Sequence, residues 1–98
     1  MDKRNINLTF NVHCEGSQGD SYRVYLGKDL LTERTWRWSP ATTYLKETAP
    51  VRLLPGTYDL KIERVEPGTG VFSITDINAI DNRETPISRV EQQRIVVL

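Results

Sequence analysis

Residues 5–14, NINLTFNVHC, alternate between apolar and polar side chains without interruption. The apolar positions are Ile6, Leu8, Phe10, Val12 and Cys14, and the polar positions are Asn5, Asn7, Thr9, Asn11 and His13. Side chains of a β-strand point alternately to opposite sides, so this pattern predicts a strand with one face on a core. The opposite face carries no lysine or glutamate, although water-exposed strand faces usually do. This polar row is therefore the first candidate for a protein-contact surface.

The same alternation recurs along the chain, interrupted by turn signals. Further strands are predicted within residues 21–27, 30–39, 51–53, 57–65, 71–80 and 87–98, the last with a register break near Gln92 or Gln93. Turn residues separate them at 27–29, at Pro55-Gly56, at Pro67-Gly68 and at 81–86. Residues 40–50 carry no clear pattern. About seven or eight short strands favour one antiparallel β-sandwich domain over residues 1–98, with a small β-barrel as the alternative.

Composition narrows the function classes. The 98 residues carry 13 basic and 13 acidic side chains, so no net charge attracts nucleic acid or a membrane surface. The single cysteine, Cys14, has no partner for an internal disulfide. The N-terminus lacks an apolar signal region, and no apolar run approaches membrane-spanning length. We expect a soluble protein made in the cytoplasm without a signal peptide, with incorporation into a virion left open.

The residues required for common catalytic sites are scarce. The one histidine, His13, adjoins the one cysteine, Cys14. Neighbours on a strand point to opposite faces, so the imidazole cannot activate the thiol. No GxSxG motif is present, and a zinc site built from these two side chains would lack a second His or a second Cys. We therefore expect no enzymatic activity and no cofactor.

One acidic segment is a weak candidate for a calcium site. The stretch TDINAIDN, residues 75–82, contains Asp76, Asn78 and Asp81, whose oxygen atoms are the ligand type that calcium prefers. The EF-hand spacing is absent, and Asp and Asn also favour turns by bonding to their own backbone. The turn explanation is favoured, and no bound metal is expected.

The two tryptophans allow two interpretations. In RTWRW, residues 34–38, Trp36 and Trp38 fall on one side of the predicted strand. Exposed, they would form an aromatic platform on which a sugar ring stacks. Glu33, Thr35 and Arg37 occupy the opposite side, so the alternation favours placing both indoles in the core.

Several segments resemble known β-sandwich families. The stretches YRVYLGKDLL (22–31), VRLLPGTYDLKI (51–62) and GVFSITDINAID (70–81) resemble the strands and turns of carbohydrate-binding modules and galactose-binding-like jelly rolls. That resemblance implies a jelly-roll-like sandwich that binds a glycan through Trp36, Trp38 and the acids of residues 76–81. A small, charge-balanced, all-β chain with one free cysteine is also similar to small accessory proteins of phage virions. This second resemblance implies a structural or decorating subunit.

The leading hypothesis is a non-catalytic structural sandwich that contacts protein partners, or further copies of itself, within a larger assembly. The contact row would be Asn5, Asn7, Thr9, Asn11 and His13. The C-terminal RIVVL, residues 94–98, would add an apolar edge strand that another subunit could pair. A carbohydrate-binding module is the alternative.

Overall fold

The structure is a computed structural model that describes residues 3–15, 20–36, 44–65 and 70–98. Every regular element in these ranges is a β-strand. The strands are β1 (Arg4–Glu15), β2 (Ser21–Leu26), β3 (Asp29–Thr35), β4 (Leu45–Leu53), β5 (Gly56–Val65), β6 (Val71–Ile80), β7 (Ser88–Glu91) and β8 (Arg94–Val97). Within the described ranges, nothing resembles a helix of membrane-spanning length and hydropathy.

The eight strands form two antiparallel sheets. The three-stranded sheet has the order β4-β1-β6, and the five-stranded sheet has the order β3-β2-β5-β8-β7. This arrangement confirms the predicted all-β sandwich over the alternative of a barrel. The first strand lies in the middle of the smaller sheet, where Asn7 is opposite Pro50 of β4 and Ile80 of β6.

The core lies between the two sheets and follows the alternation of the strands. Inward positions of both sheets contribute to one buried cluster because each sheet has one apolar face. Buried apolar residues common to this cluster are Ile6, Leu8, Phe10, Val12, Tyr22, Val24, Leu26, Trp36, Leu53, Leu60, Ile74, Ile95 and Val97. The sequence prediction for the inward face of residues 5–14 is therefore confirmed, with Cys14 only partly buried at the end of the row.

Trp36 belongs to this core. Its side chain is 2 % exposed and packs edge-on against Phe72 of β6, with ring centroids 6.4 Å apart. The core placement predicted for Trp36 is confirmed. Its role as a ligand platform is wrong, because a buried indole offers no face to a sugar ring. Trp38 lies outside the described residues.

A polar cluster joins the two sheets beside the core. The Tyr22 hydroxyl on β2 donates a hydrogen bond to Glu47 Oε1 on β4 at 3.3 Å. Arg34 on β3 forms an ion pair with the same carboxylate oxygen. Burial, followed by the negative charge of Glu47, raises the pKa of the Tyr22 phenol. Glu47 is thus an inward-facing acid whose polar partners both come from the opposite sheet.

The C-terminal segment differs from the prediction. Residues 87–98 form a hairpin, β7 and β8, rather than one strand with a register break. Gln92 adopts a positive φ of 55° at the turn. The Leu60 amide donates to the Gln93 carbonyl at 2.9 Å, and Gln93 Nε2 donates to the Leu60 carbonyl at 2.7 Å. The turn contains neither glycine nor asparagine, and these two hydrogen bonds connect it to β5, which is distant in sequence.

The prediction that RIVVL provides an unpaired edge is also wrong. β8 pairs with β5 on one side and with β7 on the other. Both rows of its backbone hydrogen-bonding groups face strands of the same chain, so no edge remains for another subunit at β8. The contact row on β1 is a separate feature and is unaffected by this correction.

Candidate functional site: the polar face of the three-stranded sheet

The outer side of the three-stranded sheet contains the predicted contact row. Because β1 is the central strand, the row is flanked on both sides by outward side chains of β4 and β6. We call this surface the polar face. It consists of Lys46, Thr48, Pro50 and Arg52 on β4 with Tyr44 directly before that strand, Asn5, Asn7, Thr9, Asn11 and His13 on β1, and Ser73, Thr75, Asp76, Asn78 and Ile80 on β6.

The outer side of the five-stranded sheet has a different chemistry. We call it the charged face after its charged side chains, which stand among uncharged outward residues such as Tyr25, Thr57 and Val96; the charged ones are Arg23, Glu33, Asp59, Lys61, Glu63, Arg89, Glu91 and Arg94. Six of these eight side chains form the ion pairs Arg23–Glu33 at 3.3 Å, Arg89–Glu91 at 3.4 Å and Arg94–Asp59 at 3.2 Å. Within the described ranges, no ion pair lies on the polar face.

Hydrogen bonds to β6 fix one end of the contact row. Asn11 Nδ2 donates to Asp76 Oδ2 at 2.9 Å, and His13 Nε2 lies 2.6 Å from Thr75 Oγ1. The His13 ring also lies beside Tyr44, the residue before β4, with ring centroids 5.9 Å apart. Asp76 has a positive φ of 52° at an irregularity in the β1–β6 ladder, and this places its carboxylate next to Asn11. These side chains are therefore held in place before any partner arrives.

The other end of the row is open. Asn5 and Asn7 are exposed, and neither side chain has a hydrogen-bond partner in the described part of the chain. They lie in a concavity of about 450 Å³ between β4 and β6. Its walls include Pro50, Arg52, Ile80 and Asn82. Amide donors and acceptors thus lie beside apolar walls, which is a combination suited to binding.

The calcium candidates have other roles in the structure. Asp81 Oδ2 accepts hydrogen bonds from the Ile87 amide at 2.7 Å and from Ser88 Oγ at 2.9 Å, and its Oδ1 accepts one from the Arg83 amide at 3.2 Å. The bond from Ile87 is the main reason that the pKa of Asp81 is lowered. The described residues contain no group of three or more His, Cys, Asp or Glu side chains placed to hold a metal ion. Asp81 organises the loop that follows β6.

Asp76 and Asn78, the other two calcium candidates, belong to the polar face. The Asp76 carboxylate accepts a hydrogen bond from Asn11, and its backbone carbonyl accepts one from Asn78 Nδ2 at 3.2 Å. The two carboxylates of the candidate set thus bond to different parts of the chain, one to β1 and the other to the loop after β6.

His13 and Cys14 are separated as the alternation predicts. The imidazole lies on the polar face beside Thr75, whereas the thiol packs against the core. Burial, followed by the charge of Asp20, raises the pKa of the Cys14 thiol. A raised pKa disfavours the thiolate, which is the nucleophilic form.

A larger cleft of about 710 Å³ lies between β5, β6 and the β7–β8 turn. Several polar groups on its walls bond within the chain. Asp59 pairs with Arg94, Gln93 bonds to Leu60, and Asp76 bonds to Asn11. The free amides at the other concavity make the polar face the stronger candidate site.

Sequence reasoning missed the β4 side of this surface. Residues 44–53 alternate, with Tyr44, Lys46, Thr48, Pro50 and Arg52 directed outward. The signal was obscured because Glu47 occupies an inward position and because proline is uncommon in strands. Pro50 is accommodated because β4 is an edge strand.

Comparisons with protein-family models, curated proteins and solved structures found no match.

Proposed function

We propose that this protein is a non-catalytic β-sandwich that joins a larger protein assembly, with a phage particle as one such assembly, through its polar face. One observation carries the proposal. The two outer faces of the same sandwich differ: on one, ion pairs join charged side chains of neighbouring strand positions, whereas the central strand of the other presents a row of Asn, Thr and His side chains without a lysine, arginine, aspartate or glutamate.

This difference matters because the two kinds of side chain have different costs on binding. Lysine, arginine and glutamate lose more rotamer entropy when a partner immobilises them, whereas asparagine and threonine lose less. Charged groups are also costlier to remove from water than amides or hydroxyls. A row of Asn and Thr side chains on a central strand therefore favours a polar contact with a protein partner.

The remaining hypotheses have weaker support. Catalysis by His13 with Cys14 would need both groups on one face, and they lie on opposite faces. Glycan binding by a tryptophan pair would need an exposed Trp36, and this indole is buried. Protein contact requires only the side chains that the polar face already presents.

The proposal is tested by placing a long charged side chain on the row. Asn7→Lys, alone and together with Asn11→Lys, should weaken self-association or incorporation into the native assembly by about tenfold or more, since the lysine must be desolvated and ordered at the interface. The matched control is Thr57→Lys, which adds the same charge to the outer side of β5, an exposed position of the other sheet.

Sedimentation velocity across a concentration series would measure self-association, and co-purification with the native assembly would measure incorporation. Circular dichroism would establish that each variant is folded. A wild-type protein that stays monomeric at high concentration, combined with normal assembly of the double-lysine variant, would overturn the proposal.

A further inference from the structure

We infer that the polar face binds the polar face of a second copy of this chain, with the two β1 strands parallel and a two-fold axis running along them. The inference rests on the proposed function and names the partner. It begins with the distribution of charge on this face. Lys46 and Arg52 lie on β4, whereas Asp76 lies on β6 and Asp81 in the loop that follows β6. Cations therefore occupy one side of β1, and anions occupy the other.

These charges do not pair within one copy. Lys46 and Arg52 are exposed, and neither has an ion-pair or hydrogen-bond partner in the described part of the chain. Asp76 and Asp81 accept hydrogen bonds from neutral amides and a hydroxyl, so both carboxylates keep their negative charge. The strands β4 and β6 lie on either side of β1, about 10 Å from each other. A second copy can supply the opposite charge that each side lacks.

The central strand has the composition that such an axis requires. A side chain on a two-fold axis faces its own counterpart, so a charged residue there would face a like charge. The outward residues from Asn5 to Asn11 carry amides and a hydroxyl, each of which donates and accepts and can therefore bond to a copy of itself. Lys3 and Glu15, the next charged residues in this alternation, are exposed beyond the two ends of the row. Salt screens like-charge repulsion at such exposed positions.

An axis along β1 places β4 of each copy over β6 of the other, at the same level of the sheet. Asn11 is opposite Lys46 in the β1–β4 ladder and bonds to Asp76 on β6. Lys46 of each copy therefore meets Asp76 of the other. Arg52 and Asp81 line one concavity at the opposite end of the sheet, so the same rotation brings Arg52 toward Asp81 of the second copy. Packed sheets are about 10 Å apart, a distance that a long cation and a short acid span together.

The antiparallel arrangement of the two copies is disfavoured. An axis across the strands would place β4 over β4 and β6 over β6, in opposite directions. Lys46 would then approach Arg52 of the second copy, and Asp76 would approach Asp81. Both contacts would join like charges, which is costly at an interface.

The size of the face sets the expected affinity. Three strands about 4.8 Å apart, with nine residues in β4, cover roughly 400 Å² in projection. A stable complex buries about 800 Å² per partner. We therefore expect a weak dimer that forms at high protein concentration and that further contacts reinforce within an assembly.

The first test places charge on the axis. Asn7→Lys and Asn7→Asp each bring two like charges face to face, so each variant alone should dimerise about tenfold more weakly than the wild type. An equimolar mixture should dimerise at least as tightly as the wild type, because each lysine then faces an aspartate. Sedimentation equilibrium up to about 1 mM protein measures the dissociation constants, and circular dichroism establishes that each variant is folded.

The second test reverses the charges beside the axis. Lys46→Glu and Asp76→Lys should each weaken dimerisation about tenfold, and their mixture should return to within about threefold of the wild type. Asparagine tolerates the positive φ of 52° at position 76, so Asp76→Asn, with partial recovery expected, replaces Asp76→Lys if that variant does not fold. Lys61→Glu is the control, because the same charge reversal on the charged face should leave dimerisation unchanged.

Other outcomes separate this inference from the proposed function. A wild type that is monomeric at about 1 mM, mixtures no stronger than their components, or tighter dimerisation of Lys46→Glu would overturn the parallel dimer. If Asn7→Lys still blocks incorporation into the native assembly in those cases, the polar face remains the contact surface for a different protein. If Asn7→Lys changes neither dimerisation nor incorporation, the proposed function itself fails.

Discussion

The polar face and the charged face are the two outer sides of one sandwich, and the same alternation of side chains produces both. On the charged face, Arg23 lies directly opposite Glu33 in the β2–β3 ladder, and Asp59 lies opposite Arg94 in the β5–β8 ladder. Opposite charges at facing positions satisfy each other. On the polar face the central strand carries amides, a hydroxyl and an imidazole, and the positions facing it on β4 include cations such as Arg52 and Lys46 without a facing carboxylate. The alternation determines which side chains face outward. The residue types determine whether those outward side chains satisfy one another without a partner protein.

The two faces also differ in how many of their groups remain unsatisfied. Three ion pairs bridge the charged face. On the polar face, Asn11 and His13 are bonded to β6, but Asn5, Asn7 and Arg52 have no side-chain partner within the described ranges. Asn5, Asn7 and Arg52 lie together at one end of the sheet, next to the concavity. This asymmetry can be tested by four measurements, in decreasing order of expected effect.

The substitution with the largest expected effect tests whether the sheets that carry the two faces share one core. Trp36→Ala should lower the free energy of unfolding by about 3–5 kcal/mol, because the lost indole leaves a cavity between the sheets. Urea unfolding followed by circular dichroism measures the change, and tyrosine fluorescence tests whether the transition remains cooperative. A loss below about 1 kcal/mol would mean that Trp36 does not support both faces.

The second test concerns the polar connection between the sheets. Glu47→Ala should cost about 1–3 kcal/mol, because the buried Tyr22 hydroxyl loses its acceptor. The Arg34 ion pair should contribute little of this, since the arginine side chain is 49 % exposed and returns to water. Glu63→Ala on the charged face removes the same charge from an exposed position and should cost less than about 0.5 kcal/mol. Equal losses in the two variants would contradict the assigned role of Glu47.

The third test measures the bonding on each face directly. A double-mutant cycle on Arg23 and Glu33 should give a coupling energy of about 0.2–1 kcal/mol that largely disappears in 1 M NaCl. A cycle on Asn11 and Asp76 should give a coupling that depends less on salt, because only one of the two groups is charged. Equal salt dependence in the two cycles would remove the distinction between the faces.

The parts of the fold that the sequence predicted are those where alternation is uninterrupted. Residues 5–14 and 21–26 place apolar side chains at every second position, and both their strands and their buried sides are confirmed. The polar row was found for the same reason. Recognising this row required only the two-residue period of a strand and the absence of long charged side chains on one side of it.

The parts that the sequence did not predict depend on contacts between distant residues. β4 contains the inward acid Glu47, whose partners Tyr22 and Arg34 become apparent only when the sheets face each other. The β7–β8 turn lacks the usual turn residues and bonds to Leu60 through Gln93. The concavity was missed because its walls, Pro50 and Ile80, come from strands on either side of β1. No local pattern contains these pairings.

The smallest effect concerns Asp81, which lines the concavity of the polar face. Its hydrogen bonds, first of all that from the Ile87 amide, hold its pKa below the ordinary value of 3.8. The folded state therefore takes up this proton less readily than the unfolded state, and the resulting stability is present above the unfolded pKa and lost as the pH falls through the folded one. In Asp81→Asn, unfolding free energies measured in urea between about pH 6 and pH 2 should approach those of the wild type as the pH falls. Glu84→Gln, which removes a carboxylate from the same exposed loop, is the matched control for the loss of one negative charge there. If the difference in unfolding free energy between Asp81→Asn and the wild type instead stayed constant down to the lowest pH, the Asp81 carboxylate would not help to stabilise this end of the polar face. Another interaction would then have to hold Asn82 in its position there.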